Sequence, residues 1–163
     1  MAAALASDPN RSYPMPTIPL KRLDPAGRLP VRATSGSFGY DLATVREERI
    51  AARETRVLPA GFQLAADLPH DRTGGLAMLI LPRSSLPLTH GLILPNAPGL
   101  IDADYAGPLG IIVHNLRDEA VTLPAGTRIA QAVFVELRFP AVEEVERADG
   151  GRTRGGFGST GHA

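Results

Sequence analysis

Glycine and proline recur at short intervals along the chain, and this spacing is the feature that most limits what the chain can fold into. The 163 residues include 17 glycines and 15 prolines, which interrupt almost every segment before a helix of about ten residues could form. Between these breaks lie short runs rich in valine, isoleucine and leucine, as is typical of strands. The pattern therefore predicts an all-β chain arranged as a sandwich, jelly roll or barrel.

Six runs are predicted to be strands, and they place the core between residues 31 and 140. They are RVLPAGFQLAA (56–66), GLAMLILPR (75–83), HGLILPN (90–96), GPLGIIVHNL (107–116), AVTLPAG (120–126) and RIAQAVFVELRFP (128–140). The tetrapeptide LPAG occurs at 58–61 and again at 123–126, and Pro-Gly segments of this kind are typical of turns. We expect the two copies to mark equivalent turns.

The composition indicates one soluble domain without a strongly charged partner. A chain of this length with 44% hydrophobic residues can bury one core. The 17 basic residues balance the 17 acidic residues, so no overall field attracts nucleic acid or an anionic membrane, and we expect neither as a partner. No cysteine is present, which excludes disulfides and thiolate metal sites and fits the reducing cytoplasm, the expected location.

The two ends of the chain differ from the predicted core. The leader MAAALASDPNRSYPMP, residues 1–16, has no basic segment followed by an uninterrupted apolar one, so it does not resemble a secretion signal. We expect the leader to be disordered. The tail GRTRGGFGSTGHA, residues 151–163, has one aromatic residue among glycines and little apolar surface to bury, which predicts a mobile C-terminal arm.

Five segments carry polar side chains suited to phosphate chemistry, although each alone has a simpler interpretation. Arg83 and two hydroxyls in PRSSL (82–86) follow an apolar strand, where a scaffold can direct them at phosphate oxygens, but a solvated turn also explains them. The two acids of GLIDADY (99–105) suit general-base work or Mg²⁺ binding, or only turn hydrogen bonds. Taken singly, GYDLAT (39–44) is explained by a turn, GTRIAQ (126–131) by a turn into a strand, and RGGFGSTG (154–161) by a flexible tail.

Taken in chain order, these five segments resemble the five ordered motifs of the trimeric deoxyuridine triphosphate nucleotidohydrolases, the dUTPases. The resemblance extends from about Leu20 to Gly161. It implies a jelly-roll-like distorted β-barrel of the β-clip type at 17–148, a homotrimer with active sites shared between chains, and an arm at 149–163 that closes over the site. It also implies Mg²⁺-assisted hydrolysis of the substrate dUTP to dUMP and pyrophosphate, which keeps uracil out of DNA and supplies dUMP for thymidylate synthesis.

The resemblance assigns catalytic roles to Asp102, Asp41 and Ser84. Asp102 is implied as the general base that deprotonates a water for in-line attack on the α-phosphorus, and such a base typically contributes about 10² to 10⁴ in rate. Asp104 takes a structural or water-network role. Asp41 helps to arrange water and contacts the metal through a water, while the substrate phosphates hold the ion.

The remaining contacts to the phosphates and the nucleoside are also implied by the resemblance. The phosphate contacts are Arg83, Ser84, Ser85 and Gln131, and the Ser84 hydroxyl lies near the oxygen that leaves with pyrophosphate, where it stabilises developing charge. Asn96, Gly99 and nearby backbone groups match the edge of uracil and leave no room for the thymine methyl or the cytosine amino group. Tyr105 lies against the deoxyribose and excludes a 2′-hydroxyl.

The fifth motif supplies the substrate contacts of the arm, and these are Arg152, Phe157, Gly158 and Ser159. Phe157 is implied to stack on uracil. Thr153 stands where a glycine is usual after Arg152, so either Arg152 or Arg154 makes the γ-phosphate contact. The chain departs from the usual pattern at four further positions, none of which removes a reacting group: Phe38, Pro87, Ala106 and Pro108.

Two alternative functions share parts of this pattern. A deoxycytidine triphosphate deaminase of the same fold has a similar RSS motif but needs a glutamate in the strand after the acidic turn. Alignment on Asp102 and Asn115 puts Ile112 at that position. A non-enzymatic regulatory trimer would not require the reacting groups, and all of them are present. Hydrolysis of dUTP is therefore the predicted function.

Overall fold

The computed structural model describes residues 16–146, and this part of the chain forms ten strands of two to eleven residues and a single turn of π-helix. The strands are β1 Leu20–Arg22, β2 Tyr40–Ala43, β3 Glu48–Ile50, β4 Thr55–Leu64, β5 Gly74–Pro82, β6 Leu92–Ile93, β7 Gly99–Ile101, β8 Pro108–Asn115, β9 Val121–Leu123 and β10 Arg128–Arg138. The helical turn covers Leu86–His90. Within the described range, no helix has the length and apolar character needed to cross a membrane. The predicted all-β class is confirmed.

The strands form two four-stranded sheets and one two-stranded sheet. The first sheet has the order β1-β4-β8-β6, the second has the order β2-β10-β5-β7, and β3 pairs with β9. All of these pairings are antiparallel. The jelly-roll-like arrangement therefore consists of open sheets rather than one closed barrel.

Alternation of side chains along the strands builds the core between the two large sheets. In β8, Leu109, Ile111 and Val113 are buried, while the residues between them stay partly exposed. This is the period of two that a half-buried strand requires. Met78 and Ile80 of β5 belong to the same buried cluster. Each such side chain contributes about 1.5–3 kcal/mol on burial, so a slip of one residue would be costly and the register is fixed.

The six predicted strands are present, but four further strands were not predicted. β1, β2, β3 and β7 have only three or four residues each, too few to show a period. The predicted strand at 90–96 is reduced to the two residues of β6. The expectation that the two LPAG segments mark equivalent turns is wrong. The first lies inside β4 beside a register shift, whereas the second forms the turn before β10.

The segment between β6 and β7 carries the chain from one large sheet to the other. β6 pairs with β8 of the first sheet, and β7 pairs with β5 of the second. Between them, the backbone N–H of Ala97 donates to the carbonyl oxygen of Leu94 at 3.1 Å, and the Ala97–Pro98 peptide bond is cis. The crossing ends at β7, so Asp102 follows directly from the edge strand of the second sheet.

Candidate active site

Three of the sequence motifs meet at one end of the second sheet. Gln131 of β10 lies directly opposite Asp41 of β2 on one side and Leu81 of β5 on the other. Arg83 is the first residue after β5, and its backbone N–H donates to the carbonyl oxygen of Ile129 at 3.3 Å. Directly opposed residues in antiparallel strands share a face, so these side chains are neighbours. We call Asp41, Arg83, Arg128 and Gln131 the arginine cluster.

The carboxylate of Asp41 is the centre of this cluster. Its side chain is only 10% exposed, and it pairs with a guanidinium on each oxygen. Nη1 of Arg83 donates to Oδ1, and Nη1 of Arg128 donates to Oδ2 at 3.0 Å. Two guanidinium groups around one carboxylate leave one net positive charge. A fork of arginine donors with net positive charge is suited to binding phosphate.

Close packing at Gly39 fixes the side chain of Gln131. A Cβ atom at position 39 would lie 2.9 Å from Cδ of Gln131, so only glycine leaves room for the amide there. Nε2 of Gln131 donates to the carbonyl oxygen of Pro82 at 3.3 Å. The amide group is therefore held on the same face as Asp41, where it can meet an anion beside the two arginines.

The two serines of the second motif lie in the exposed loop between β5 and the helical turn. Ser84 and Ser85 are both exposed, and Ser85 makes no capping hydrogen bond from its side chain. The backbone N–H of Leu86 donates to the carbonyl oxygen of Arg83 at 3.0 Å, which turns this loop beside Arg83. Both serines therefore lie in an exposed loop that begins next to Arg83.

The third motif forms a separate exposed site. Asp102, Asp104 and Tyr105 are all exposed, and the backbone N–H of Tyr105 donates to the carbonyl oxygen of Asp102 at 3.2 Å. The Tyr105 hydroxyl donates to the carbonyl oxygen of Pro108 at 3.0 Å, and a Cβ atom at Gly107 would lie 2.6 Å from that hydroxyl. We call residues 102–105 the acidic turn.

A neighbouring connection supports the acidic turn. The backbone N–H of Leu68 donates to the carbonyl oxygen of Ala103 at 2.8 Å. Further along this connection, Oδ1 of Asp71 accepts hydrogen bonds from the backbone N–H and the hydroxyl of Thr73, each at 2.7 Å. The backbone hydrogen bond from Thr73 is the main cause that lowers the pKa of Asp71 below its usual value. Local hydrogen bonds therefore order this connection beside the acidic turn.

The residues that the resemblance assigns to the uracil edge, Asn96 and Gly99, lie just before β7 and at its first position. Asn96 is exposed, and its Nδ2 would be 3.2 Å from a Cβ atom placed on Gly99. Gly99 lies opposite Ile80 of β5. The Asn96 amide therefore rests over the first residue of β7, with its hydrogen-bonding groups open to a ligand.

The acidic turn and the arginine cluster do not meet within one chain. Ile101 lies opposite Met78, and one further step of this register puts Asp102 at the level of Ala77. Arg83 lies six residues beyond Ala77 along β5 and its end. At roughly 3.3 Å per residue, this places Asp102 about 20 Å from Arg83. Asp41, Arg83 and Gln131 are brought together, whereas Asp102 and Tyr105 lie well away from them.

The described part of the chain supplies few ligands for a metal ion. Among residues 16–146, no three histidine, aspartate or glutamate side chains lie close enough to hold an ion by themselves. Asp41 is the carboxylate of the arginine cluster, and each of its oxygens has a further lone pair beside the one used by an arginine. This donor set fits Mg²⁺ held mainly by phosphates and water, since that ion commonly uses only one or two protein carboxylates.

The structure adds to the sequence motifs at two residues: Arg128, to which the motifs assign no role, and Ile112, which bears on the deaminase alternative. The motif resemblance assigns no role to Arg128, because the sequence does not show that its side chain reaches Asp41. Ile112, at the position where a deaminase needs glutamate, is a half-buried residue of β8 opposite Val57. The predicted arm residues all lie outside the described range: Arg152, Arg154, Phe157, Gly158 and Ser159.

Comparisons with known proteins agree on one family. The dUTPase family model matches residues 26–161. The deoxyuridine 5'-triphosphate nucleotidohydrolase of Shewanella denitrificans is 44% identical over 138 residues, covering 82% of this chain and 86% of that protein. The protein of the same name from Actinobacillus succinogenes is 42% identical over 138 residues, with 82% and 87% covered.

The fold agrees with the sequence match. The solved structure of the Staphylococcus bacteriophage 80alpha dUTPase with dUPNHPP has a TM-score of 0.77 and 26% identity, covering 90% of this chain and 99% of that chain. The match includes the segments that carry Asp41, Arg83, Asp102 and Gln131. This chain therefore belongs to the dUTPase family.

Proposed function

We propose that this chain is a dUTP diphosphatase, which hydrolyses dUTP to dUMP and pyrophosphate. The observation that carries the proposal is the convergence of Asp41, Arg83 and Gln131, from three separate motifs, in a chain of the dUTPase family. Such an enzyme keeps uracil out of DNA and provides dUMP for thymidylate synthesis.

The arginine cluster binds the triphosphate in this proposal. Arg83 and Gln131 donate to phosphate oxygens, with Ser84 and Ser85 at the exposed edge of the same site. The Ser84 hydroxyl donates to the oxygen that leaves with pyrophosphate, where negative charge develops as the bond to the α-phosphorus breaks. Donors fixed in advance at such a position stabilise the transition state more than the ground state.

Asp102 serves as the general base. A water between its carboxylate and the α-phosphorus gives up a proton to Asp102 as its oxygen attacks in line, and pyrophosphate leaves from the opposite side. Exposure of Asp102 in the single chain leaves the carboxylate accessible to that water. A base in this position typically contributes about 10² to 10⁴ in rate.

The nucleoside lies against the segment around the acidic turn. Asn96 and the backbone near Gly99 pair with the uracil edge, and Tyr105 packs on the deoxyribose. The Tyr105 ring is held by its hydrogen bond to Pro108 and by close packing on Gly107. Because a fixed ring leaves little space beside the sugar, a ribonucleotide with a 2′-hydroxyl is disfavoured.

The C-terminal segment completes the site in this proposal. Residues 149–163 close over the bound nucleotide as an arm, with Phe157 on the uracil and either Arg152 or Arg154 at the γ-phosphate. Gly158 and Ser159 add contacts to the substrate. Closing an arm over the site excludes water from the reaction.

We further propose a homotrimer in which neighbouring chains share each active site. The separation of about 20 Å between Asp102 and Arg83, at roughly 3.3 Å per residue, is too long for one nucleotide to bridge within a chain. The face of the second sheet that carries Asp41 and Gln131 also carries partly exposed apolar side chains: Leu79, Leu81, Leu100, Val133 and Val135. A second copy of the chain would cover this face and bring its own Asp102 to the arginine cluster.

Mg²⁺ is the proposed cofactor. Bound to the substrate, it neutralises phosphate charge and fixes the geometry of the phosphate chain. Asp41, which already pairs with one arginine on each oxygen, would use a remaining lone pair to contact the ion through a water. The phosphates supply most of its other ligands.

The proposed activity is tested by incubating the purified chain with Mg²⁺ and dUTP, dCTP, dTTP or UTP, and measuring pyrophosphate release. We expect turnover of dUTP alone. Comparable turnover of any of the other three would reject the proposed nucleoside pocket, and ammonia release from dCTP would indicate a deaminase. Omission of Mg²⁺ should slow dUTP turnover.

A further inference from the structure

Arg128 stands where the pairing between β10 and β2 is interrupted. Arg128 lies opposite Ala43, yet Ala130, two residues on, lies opposite Leu42. Ile129 therefore has no partner on β2, which defines a β-bulge. The regular register resumes at once, with Gln131 opposite Asp41.

The bulge decides which face Arg128 occupies. With an unbroken register, Arg128 would lie opposite Thr44, on the face that points away from Asp41, because side chains alternate along a strand. The extra residue moves Arg128 opposite Ala43, which shares a face with Asp41. Ile129 is fully buried. A bulge beside an active site commonly re-aims a side chain in this way.

The backbone before Arg128 is held firmly in this position. Thr44 is buried, and its hydroxyl donates to the carbonyl oxygen of Pro124 at 2.7 Å and accepts from the backbone N–H of Thr127 at 3.0 Å. The backbone N–H of Thr44 donates to the carbonyl oxygen of Thr127 at 2.9 Å. These bonds fix the turn that leads into the bulge, so Arg128 starts from an ordered backbone.

We infer that Arg128 is a positioning residue for the phosphate site: aimed by the bulge, it acts through Asp41 to hold Arg83 in place for the triphosphate. The inference rests on the proposed function. Asp41 and Arg83 alone would form a neutral pair, and the second guanidinium gives the cluster its net positive charge. Arg128 holds the Asp41 carboxylate from the side opposite Arg83. The carboxylate therefore cannot rotate and carry the Arg83 guanidinium away with it.

The expected effect of an Arg128 substitution on substrate affinity follows from the solvent exposure of the two arginine side chains. The Arg83 side chain is 27% exposed and that of Arg128 is 55% exposed, so water screens the second contact more strongly. Arg128→Gln removes the charge and the donor to Asp41. We expect the affinity for dUPNHPP, measured by calorimetry, to fall about tenfold, the scale of one charge-assisted hydrogen bond partly screened by solvent.

The matched control is Arg138→Gln, which removes an exposed arginine from the other end of the same strand. It should leave affinity and dUTP turnover unchanged. If Arg128→Gln resembles this control, the inference is wrong. If the unsubstituted protein does not turn over dUTP, the proposed function is rejected and the inference falls with it.

A double-mutant cycle separates action through Asp41 from direct contact with the substrate. We expect Arg128→Gln to have little further effect in a protein that already carries Asp41→Asn, because its partner has lost its charge. The same fold-loss in both backgrounds would contradict a positioning role. Thermal melting checks that each variant folds. If Arg128→Gln does not fold, Arg128→Lys takes its place in the cycle, with a smaller loss that must again depend on Asp41.

Discussion

The arginine cluster and the acidic turn lie at different places on one sheet and are built in different ways. The cluster draws on three adjacent strands, and its central carboxylate is largely buried between two guanidinium groups. The acidic turn follows the edge strand β7, and its carboxylates are exposed. Backbone hydrogen bonds order the turn, whereas ion pairs order the cluster.

In the proposed site, this difference separates the residues that bind phosphate from the residue that acts as the base. Phosphate recognition needs donors that are fixed before the substrate arrives, and the paired strands at the end of the second sheet provide them. A general base needs access to water and to the reacting phosphorus, which an exposed turn allows. In the proposed trimer, the turn of one chain completes the cluster of another, so substitutions in the two regions should have different signatures.

Asp102→Asn should have the largest effect on activity. The amide keeps the shape of the side chain but cannot accept the proton, so kcat should fall by about 10² or more. The KM for dUTP and the Tm should change little, because Asp102 is exposed and the phosphate contacts remain. Steady-state kinetics and thermal melting check this, with the exposed Asp67→Asn as the control. Near-normal kcat would place the base elsewhere.

Arg83→Gln should affect both binding and stability. It removes a phosphate donor and leaves the nearly buried Asp41 with Arg128 alone. We expect KM to rise by about 10- to 100-fold, and the free energy of unfolding to fall by about 1–3 kcal/mol, the usual range for an under-satisfied buried group. Denaturant unfolding measures the second quantity, and Arg72→Gln on an exposed connection is the control. An unchanged stability would show that the ion pair does not support the fold.

Gly39→Ala should have a smaller effect confined to the cluster. The new methyl group would collide with the Gln131 amide and push it away from the phosphate site. We expect kcat/KM to fall about fivefold, which corresponds to roughly 1 kcal/mol, with little change in Tm because a flexible side chain can move aside. Gly36→Ala is the control, since a Cβ atom there meets nothing within 4 Å. Equal kcat/KM values for the two variants would mean that turnover does not depend on the position of the Gln131 amide.

Asp71→Asn should have the smallest effect, on stability and not on turnover. Hydrogen bonds from Thr73 lower the pKa of Asp71 in the folded state. A lowered folded pKa contributes stability that is complete above the ordinary value of about 3.9 and is lost as pH falls through the lower value. The Tm difference from the unsubstituted protein should therefore be present at neutral pH and disappear in acid. A difference that is constant with pH would contradict this cause.

The fold class and the grouping of Asp41, Arg83 and Gln131 follow from features visible in the sequence. Glycine and proline spacing excludes long helices, and the apolar runs of β4, β5, β8 and β10 are long enough to predict. The order of the motifs along the chain then indicates the family and groups these residues in one site. The motifs do not specify the register between strands that are distant in the chain. This register places Gln131 opposite Asp41.

Two features of the site depend on long-range geometry and could not be predicted. The bulge that turns Arg128 toward Asp41 arises from the pairing of β10 with β2, and GTRIAQ alone is compatible with a regular strand. The gap between Asp102 and Arg83 depends on the antiparallel pairing of β7 with β5. Asp102 lies closer in sequence to Arg83 than Asp41 does, yet only Asp41 reaches it.

The central claim, that each active site is shared between chains, is tested most directly by mixing two inactive variants. Asp102→Asn and Arg83→Gln chains carrying different affinity tags are co-expressed, and the mixed oligomers are purified through both tags and assayed with dUTP. Every trimer that carries both tags contains both variants, so one of its three sites pairs an intact Asp102 from one chain with an intact Arg83 from its neighbour. These trimers should recover about one third of the unsubstituted activity. Activity no higher than that of the better single variant would contradict the shared site.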